Sequence, residues 1–135
     1  MIDYQIKADI ALIEDMINPI ISSLEENEVN FKKIYQVNLA LEEIFANIAR
    51  YAYPSQEGMV YVSYEVNKEE NKLKVIIRDQ GIEFNPLEKE DPDLDSSVKE
   101  RKIGGLGIYI VKNIVDNVEY QRINNENILR LEKNL

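Results

Sequence analysis

Glu43 and Asn47 are four residues apart in the sequence and would share one face of a helix. A carboxylate placed in this way can act as a general base, and an amide oxygen beside it can bind Mg²⁺. The alternative is that both are polar residues at the edge of an amphipathic helix. The spacing alone is compatible with a catalytic role and with a purely structural one.

A second candidate is Asp79-Gln80-Gly81, which follows an apolar stretch that ends at Ile77. Aspartate and glycine are common in turns, so the segment is compatible with turn formation alone. An aspartate at the end of a strand can also hold its carboxylate over a pocket, where glycine lets a ligand approach the backbone closely. This second interpretation predicts a hydrogen-bond acceptor at the end of the strand.

Glycines precede a predicted helix in the segment Ile103-Gly104-Gly105-Leu106-Gly107. Backbone N–H groups at a helix N-terminus have no partner within the helix and attract anions. The segment is not a P-loop, because no Lys-Ser or Lys-Thr follows the last glycine, and it lacks the long preceding strand of a dinucleotide-binding fingerprint. It predicts either an anion site or a flexible hinge.

The composition narrows the chemistry that is available. The 135 residues include no Cys and no His, which excludes disulfides, thiolate nucleophiles, zinc–thiolate sites and histidine-based catalysis. The 16 Lys and Arg residues against 25 Asp and Glu residues give a net charge of −9, which argues against general binding to nucleic acid or to an anionic membrane. Catalysis would rest on carboxylates, lysines, amides or a cation such as Mg²⁺.

Length and targeting signals point to one domain inside the cell. No run approaches the roughly 18 consecutive apolar residues of a membrane span. The first residues lack the basic and then apolar pattern of a signal peptide. We therefore expect a cytoplasmic protein with a single domain over residues 1–135.

Hydrophobic periodicity predicts the elements that must position the candidate residues. Alternating apolar residues predict strands at 2–7, 60–66 and 72–78, and a closing hairpin of strands 120–123 and 128–132. Helical spacing predicts one helix capped by Asp9, a second that begins after Asn30 and ends before Pro54, and a third over 108–118. This order predicts an α+β fold, a two-layer sandwich with the helices on one face of a mixed sheet.

Residues 86–103 form a long polar stretch with net acidic charge and no apolar period. Structureless loops longer than about 12–15 residues are usually binding loops, lids or disordered segments. Because this loop runs directly into the glycines, we expect it to be disordered without a ligand and ordered by a bound triphosphate. The alternative is a loop permanently folded over the site, held by Leu87, Leu94 or Val98.

The order of these motifs resembles the GHKL, or Bergerat, ATP-binding domain of gyrase, histidine kinases and MutL. It is more closely similar to the serine-kinase anti-sigma factors of bacterial partner-switching systems. Residues 37–47 fit the first motif of that family, 51–54 are similar to its His-Ala-Tyr tail, and 104–111 fit its last motif. The resemblance covers the whole chain and is densest over 37–54 and 75–131.

This resemblance implies an ATP site with Mg²⁺ and gives each candidate a role. Asp79 would accept a hydrogen bond from the adenine amino group, and Gly81 would let the base approach. Asn47 would coordinate Mg²⁺ between the phosphates. Glu43 would be the general base that accepts the proton of an attacking serine or water.

The phosphates would be bound by the last motif and by basic side chains of the loop. The backbone amides in question belong to Gly104, Gly105, Leu106 and Gly107. The basic candidates are Lys99, Arg101 and Lys102, for which the alternative is that they are solvated loop residues.

The sequence departs from the family pattern at three positions. Glu83 replaces the last glycine of the second motif, Tyr51 replaces the histidine of the first, and Asn127 replaces the threonine of the closing hairpin. A carboxylate at position 83 would repel a nucleotide unless it points away. Asn127 keeps a polar group but changes its reach.

The function implied by the resemblance is that of an ATP-binding protein serine/threonine kinase of the anti-sigma type. Such a protein binds a sigma factor and phosphorylates a STAS-type anti-sigma antagonist, and its relatives are homodimers. The alternative is a nucleotide-gated partner-binding module without phosphotransfer, which would not need the Glu43 carboxylate. A histidine kinase is disfavoured, because no His is present to accept phosphate.

Overall fold

The computed structural model describes residues 1–88 and 105–135. Its strands are β1 (Ile2–Lys7), β2 (Met59–Asn67), β3 (Lys72–Asp79), β4 (Asn117–Ile123) and β5 (Glu126–Asn134). Its α-helices are α1 (Ile13–Glu26), α2 (Phe31–Tyr51) and α3 (Gly105–Ile114), with short 3₁₀ turns at Ile10–Leu12 and Pro86–Glu88. The predicted order of strands and helices is confirmed in this part of the chain.

Most of the predicted loop over 86–103 lies outside the described residues. The expectations about its order and its response to a ligand therefore stay predictions. Four candidate site residues also lie outside the described residues, namely Lys99, Arg101, Lys102 and Gly104.

The five strands form one sheet in the order β1-β2-β3-β5-β4, and all four pairings are antiparallel. The two-layer α+β class is confirmed, but the expectation of a mixed sheet is wrong. The chain crosses over through α3 and returns at the edge of the sheet as β4, which runs in the same direction as β3. The following hairpin turns back as β5, and this strand fills the place beside β3. Strands β3 and β4, which run in the same direction, are therefore not neighbours in the sheet.

The core lies between the helices and one face of the sheet. Helix α2 packs between α1 and α3. The largest fully buried side chains are Phe45, Met16, Ile20, Leu24, Leu41, Leu73, Ile77 and Leu131. Burial of this apolar surface fixes α2 against the sheet. The packing of α2 therefore also sets the positions of Glu43 and Asn47, the two candidate residues on this helix.

The N-terminal ends of the first two helical segments are held as the sequence predicts. Asp9 accepts a hydrogen bond from the N–H of Ala11 at 3.0 Å, although the segment it caps begins as a 3₁₀ turn before α1. Asn30 accepts from the N–H of Lys32 at 2.8 Å and caps α2. Helix α2 then ends at Tyr51, ahead of Pro54 as expected.

The prediction of a helix over 108–118 is wrong at both ends. Helix α3 already begins at Gly105, and it ends at Ile114. Val118 lies in β4, opposite Leu131 of β5. Beyond Ile114 the backbone turns to β5, where the N–H of Asp116 donates to the carbonyl of Glu132 at 2.9 Å. Lys133 Nζ donates to the carbonyl of Ile114 at 2.7 Å.

The closing hairpin is confirmed, with longer strands than predicted. Asn124 and Asn125 have φ values of 51° and 64°, the left-handed pair that a tight two-residue hairpin turn needs.

Among the helices of the described residues, none has both the length and the apolar character of a membrane span.

Candidate functional site

A narrow cavity of about 50 Å³ lies between α2, the 79–86 segment, α3 and the closing hairpin. Its wall is mainly apolar and includes Ile44, Ile48, Ile77, Ile108 and Leu129. Three buried polar side chains, Asn47, Asp79 and Asn127, also line it. An apolar cleft with a few polar groups is the usual form of a small-molecule site. The structure thus brings together Asn47 and Asp79, two candidates that the sequence placed on separate elements.

Asp79 is the last residue of β3, and only 5% of its surface is exposed. Its Oδ1 accepts hydrogen bonds from the Gly81 N–H and from Asn127 Nδ2, both at 2.9 Å. Both donors reach the same oxygen, so Oδ2 is the oxygen left for a ligand. Burial raises the pKa of Asp79, and the hydrogen bonds from Asn127 and Gly81 oppose that rise.

Gly81 is required by its packing against the end of α2. A Cβ atom at this position would lie 2.2 Å from the carbonyl oxygen of Ala52. The same carbonyl accepts a hydrogen bond from the N–H of Ile82 at 2.9 Å. The structure therefore gives Gly81 a packing role, and its predicted role in the approach of a base stays a prediction.

Asn127 is the most connected polar residue of the cavity. Its Nδ2 donates to Asp79 Oδ1 and, at 2.7 Å, to the carbonyl of Ile82. Its Oδ1 accepts from the N–H of Phe84 at 3.3 Å and from the hydroxyl of Tyr120. The sequence indicated only that Asn127 replaces a threonine. The missing information was strand register, because β3 and β5 pair with Asp79 directly opposite Asn127.

Two further side chains that sequence reasoning missed hold the segment after β3. Arg122 donates from its guanidinium to the carbonyl of Gly81 at 2.8 Å. The hydroxyl of Tyr53 accepts from the N–H of Gln80 and donates to the carbonyl of Met59, both at 2.7 Å. Tyr53 lies in the quoted motif at 51–54, but nothing in the sequence gave it a partner.

Asn47 carries an unpaired polar atom. The side chain is 8% exposed, and its Nδ2 has no hydrogen-bond partner among the described residues. A buried polar atom without a partner costs about 1–3 kcal/mol, so such atoms in native proteins usually meet a ligand, an ion or water. An unpaired N–H donor at the wall of this cavity fits an acceptor such as a phosphate oxygen, and the oxygen of the same amide is the atom that would hold a metal ion.

Glu43 does not line the cavity; it lies against the first turn of α3. A Cβ atom at Gly107 would lie only 2.0 Å from Glu43 Oε2. A carboxylate at a helix N-terminus is favoured by the helix dipole. The structure thus places the predicted general base beside the predicted phosphate-binding turn, about one helical turn from Asn47.

Three of the four residues predicted to bind phosphate through their backbone lie in the described part of the chain, and their role stays a prediction. Gly105, Leu106 and Gly107 form the first turn of α3, so their N–H groups are among those that a helix leaves without internal partners.

Two of the departures from the family pattern differ in their position relative to the cavity. Glu83 is exposed and does not line the cavity. Tyr51 is 43% exposed and lines the cavity.

Comparison with known proteins agrees with this arrangement. The family model described as the histidine kinase-like ATPase domain matches residues 6–133. The chain is similar to the serine-protein kinase RsbW of Bacillus licheniformis, with 25% identity over 96 residues, and of Bacillus pumilus, with 29% over 99 residues. These matches cover 68% and 67% of this chain and 60% and 59% of the two kinases. The chain therefore spans about three fifths of the length of these relatives.

A solved structure shares the fold. The histidine kinase domain of a blue-light-activated histidine kinase from Erythrobacter litoralis superposes with a TM-score of 0.54 at 15% identity. The superposition covers 91% of this chain and 61% of that domain. The family match extends over nearly the whole chain, and the fold agrees with it. The chain belongs to the histidine kinase-like ATPase domain family.

Proposed function

We propose that this protein binds ATP with Mg²⁺, with the adenine base at the cavity and the phosphates at the first turn of α3, and transfers the γ-phosphate to a serine or threonine of a partner protein. The observation that carries this proposal is that two buried polar side chains line the same apolar cavity. Asp79 offers an acceptor at one side, and Asn47 offers an unpaired amide at another. The family membership and the similarity to serine-protein kinases support the same function.

Asp79 would recognise the base. Its Oδ2 would accept a hydrogen bond from the adenine amino group, while Oδ1 is already engaged by Gly81 and Asn127. Guanine would present a carbonyl oxygen to the same carboxylate, and two facing acceptors leave a buried charge unpaired. The apolar side chains of the cavity would contact the faces of the purine ring.

Asn47 and the first turn of α3 would bind the phosphates. The Asn47 amide oxygen would hold Mg²⁺, which supplies charge neutralisation when bound. The N–H groups of Gly105, Leu106 and Gly107 would donate to phosphate oxygens. This division of labour suits a protein without His, because phosphoryl transfer depends mainly on positioning and electrostatics.

Glu43 would be the general base. The hydroxyl oxygen of the acceptor serine attacks the γ-phosphorus, the bond from that phosphorus to the bridging oxygen breaks, and ADP leaves. The hydroxyl proton passes to a carboxylate oxygen of Glu43. The contact with Gly107 supports this role, because it holds the carboxylate beside the turn that would bind the phosphates.

The resemblance to serine-kinase anti-sigma factors supports a choice of partners. The acceptor would be a STAS-type anti-sigma antagonist, and a sigma factor would be bound in the alternative state. The same resemblance implies that the protein would act as a homodimer.

Incubation with radiolabelled ATP, Mg²⁺ and a STAS-domain anti-sigma antagonist from the same organism tests the proposal. We expect label on a serine or threonine of the antagonist with the wild-type protein, and a much lower rate of labelling with Glu43→Gln. Nucleotide affinity should remain in that variant, since Glu43 does not line the cavity. A wild-type protein that binds no ATP would contradict the proposal.

A second candidate is a nucleotide-gated partner-binding module without phosphotransfer. It is favoured by the position of Glu43 outside the cavity wall, because ATP could then bind without contacting this carboxylate. In that case the wild-type protein binds ATP and its partner but transfers no label. Glu43→Gln would then change neither binding event.

A further inference from the structure

Arg122 and Asn127 of the closing hairpin bond the end of β3 and the segment that follows it. Arg122 and Asn127 face each other across β4 and β5. Arg122 binds the carbonyl of Gly81, and Asn127 binds Asp79, the carbonyl of Ile82 and the N–H of Phe84. The segment that would meet the base is thus attached to a hairpin and not left as a free loop.

The hydrogen-bonding capacity of Asn127 is fully used within the protein. A carboxamide has two N–H donors and an oxygen with two acceptor positions. In Asn127 both donors are taken, by Asp79 and by the carbonyl of Ile82, and the oxygen accepts from Phe84 and Tyr120. No capacity is left for a ligand, so any effect of Asn127 on binding acts through Asp79 and the 82–84 backbone.

A threonine at this position could not make the same set of contacts. Its hydroxyl has one donor, so it could bind Asp79 or the carbonyl of Ile82 but not both. The amide therefore adds a link between the carboxylate and the backbone after it. That link fixes which carboxylate oxygen is turned toward the cavity.

We propose that Asn127 is a positioning residue that sets the preference of the site for adenine, by holding Asp79 Oδ1 and the 82–84 backbone as one rigid unit. This inference rests on the proposed ATP site. With Oδ1 engaged by two donors, only Oδ2 faces a ligand, in one orientation. Loss of the amide leaves Oδ1 with the Gly81 N–H as its one donor and lets the carboxylate turn out of line with the amino group. The contact that ATP makes and ITP lacks is then weakened.

Competition binding with ATP, ITP and GTP tests this inference, because ITP lacks the amino group and carries a carbonyl oxygen in its place. The wild-type protein should prefer ATP over ITP. In Asn127→Ala the ratio of the two affinities should fall by about tenfold, the usual effect of a lost charge-assisted contact. Asn127→Thr keeps one donor and should give an intermediate ratio.

Tyr64→Phe is the matched control for reduced stability. Tyr64 is 4% exposed, and its hydroxyl contacts Ser23 and the carbonyl of Pro19 under α1, away from the cavity. This variant loses buried hydrogen bonds but should keep the wild-type ratio of ATP to ITP affinity. If Asn127→Ala does not fold, the intermediate ratio of Asn127→Thr carries the test.

The outcomes separate this inference from the function on which it rests. If the wild-type protein prefers ATP and the Asn127 variants keep the same ratio, the positioning role is wrong and the ATP site stands. An equal loss of ATP and ITP affinity in Asn127→Ala also overturns it, because the residue is then only structural. If the wild-type protein binds neither nucleotide, the proposed function fails and this inference fails with it.

Discussion

Gly107 has no side chain at the point where the carboxylate of Glu43 lies. A Cβ atom at position 107 would come within 2.0 Å of Glu43 Oε2 and within 2.7 Å of its Cδ. The glycine of the last motif and the glutamate of the first are therefore in contact through space. Helices α2 and α3 meet at this point, where phosphate binding and proton transfer are proposed to occur.

Gly107→Ala should slow phosphotransfer more than it weakens nucleotide binding. The added methyl group displaces the end of the flexible Glu43 side chain, so the fold should persist while the general base moves. We expect kcat to fall about tenfold or more, because small displacements of a catalytic group are costly. Single-turnover phosphorylation and ADP affinity measure the two effects.

The double variant Glu43→Ala with Gly107→Ala is the control for this prediction. If the methyl group acts through the carboxylate, the double variant should be no slower than Glu43→Ala alone. Additive losses would mean that Gly107 acts independently, through its own N–H.

Asp79→Asn should stabilise the free protein at neutral pH and weaken ATP binding. Burial raises the native pKa of Asp79, so the charged form costs stability, and that cost grows as the pH rises from the unfolded pKa through the native one. Asparagine keeps an acceptor for Gly81 and Asn127 but carries no charge. Urea unfolding should show a gain at pH 7 that disappears below the ordinary aspartate pKa of about 3.9.

Glu69→Gln, in the exposed turn between β2 and β3, is the matched loss of one negative charge. It should show no comparable gain at pH 7. Equal effects of the two substitutions would attribute the gain to net charge and not to the burial of Asp79.

Gly81→Ala should destabilise the protein more than Gly107→Ala. At position 81 the new methyl group meets the backbone of Ala52 at 2.2 Å, whereas at position 107 it meets the end of a flexible side chain. Overpacking against a fixed backbone typically costs about 1–3 kcal/mol. Urea unfolding curves of the two variants compare the costs, and an equal loss of stability would contradict the prediction.

Asn47→Ala should weaken the Mg²⁺-dependent part of ATP affinity without loss of stability. It removes a buried amide whose Nδ2 has no partner in the described part of the chain, so the free protein loses no hydrogen bond at that atom. ATP affinity with Mg²⁺ and with a chelator measures the effect. Asn113→Ala is the control, since Asn113 donates to the carbonyl of Tyr109 on the exposed side of α3.

An equal loss of ATP affinity with and without Mg²⁺ in Asn47→Ala would contradict the metal role of this residue. It would leave Asn47 as a direct contact to the nucleotide.

The features that sequence reasoning predicted well are local ones. The cap at Asn30, the end of α2 before Pro54 and the turn at Asn124 and Asn125 each depend on a few adjacent residues. Asn47 and Asp79 could be named as candidates because each stands in a recognisable short motif. Their meeting in one cavity was implied by the resemblance, and the structure now shows it directly.

The features that the sequence could not predict depend on contacts between distant segments. The chain leaves α3 where the N–H of Asp116 bonds the carbonyl of Glu132 in β5, and the role of Asn127 results from the register of β5 against β3. Val111, Ile114, Val115 and Val118 have helical spacing, so periodicity alone extends the helix too far. The antiparallel sheet follows from where β5 is placed, which no local pattern shows.

The position of β5 also affects the order in which the molecule can assemble during translation. Among the strands described, β5 is synthesised last, yet it lies between β3 and β4. A nascent chain that has not yet exposed residues 126–134 lacks the partner that β3 needs on that side, and Asp79 lacks Asn127. The site therefore cannot form piece by piece as the chain emerges from the ribosome. Its completion coincides with closure of the sheet, so a truncated chain does not present a finished binding site.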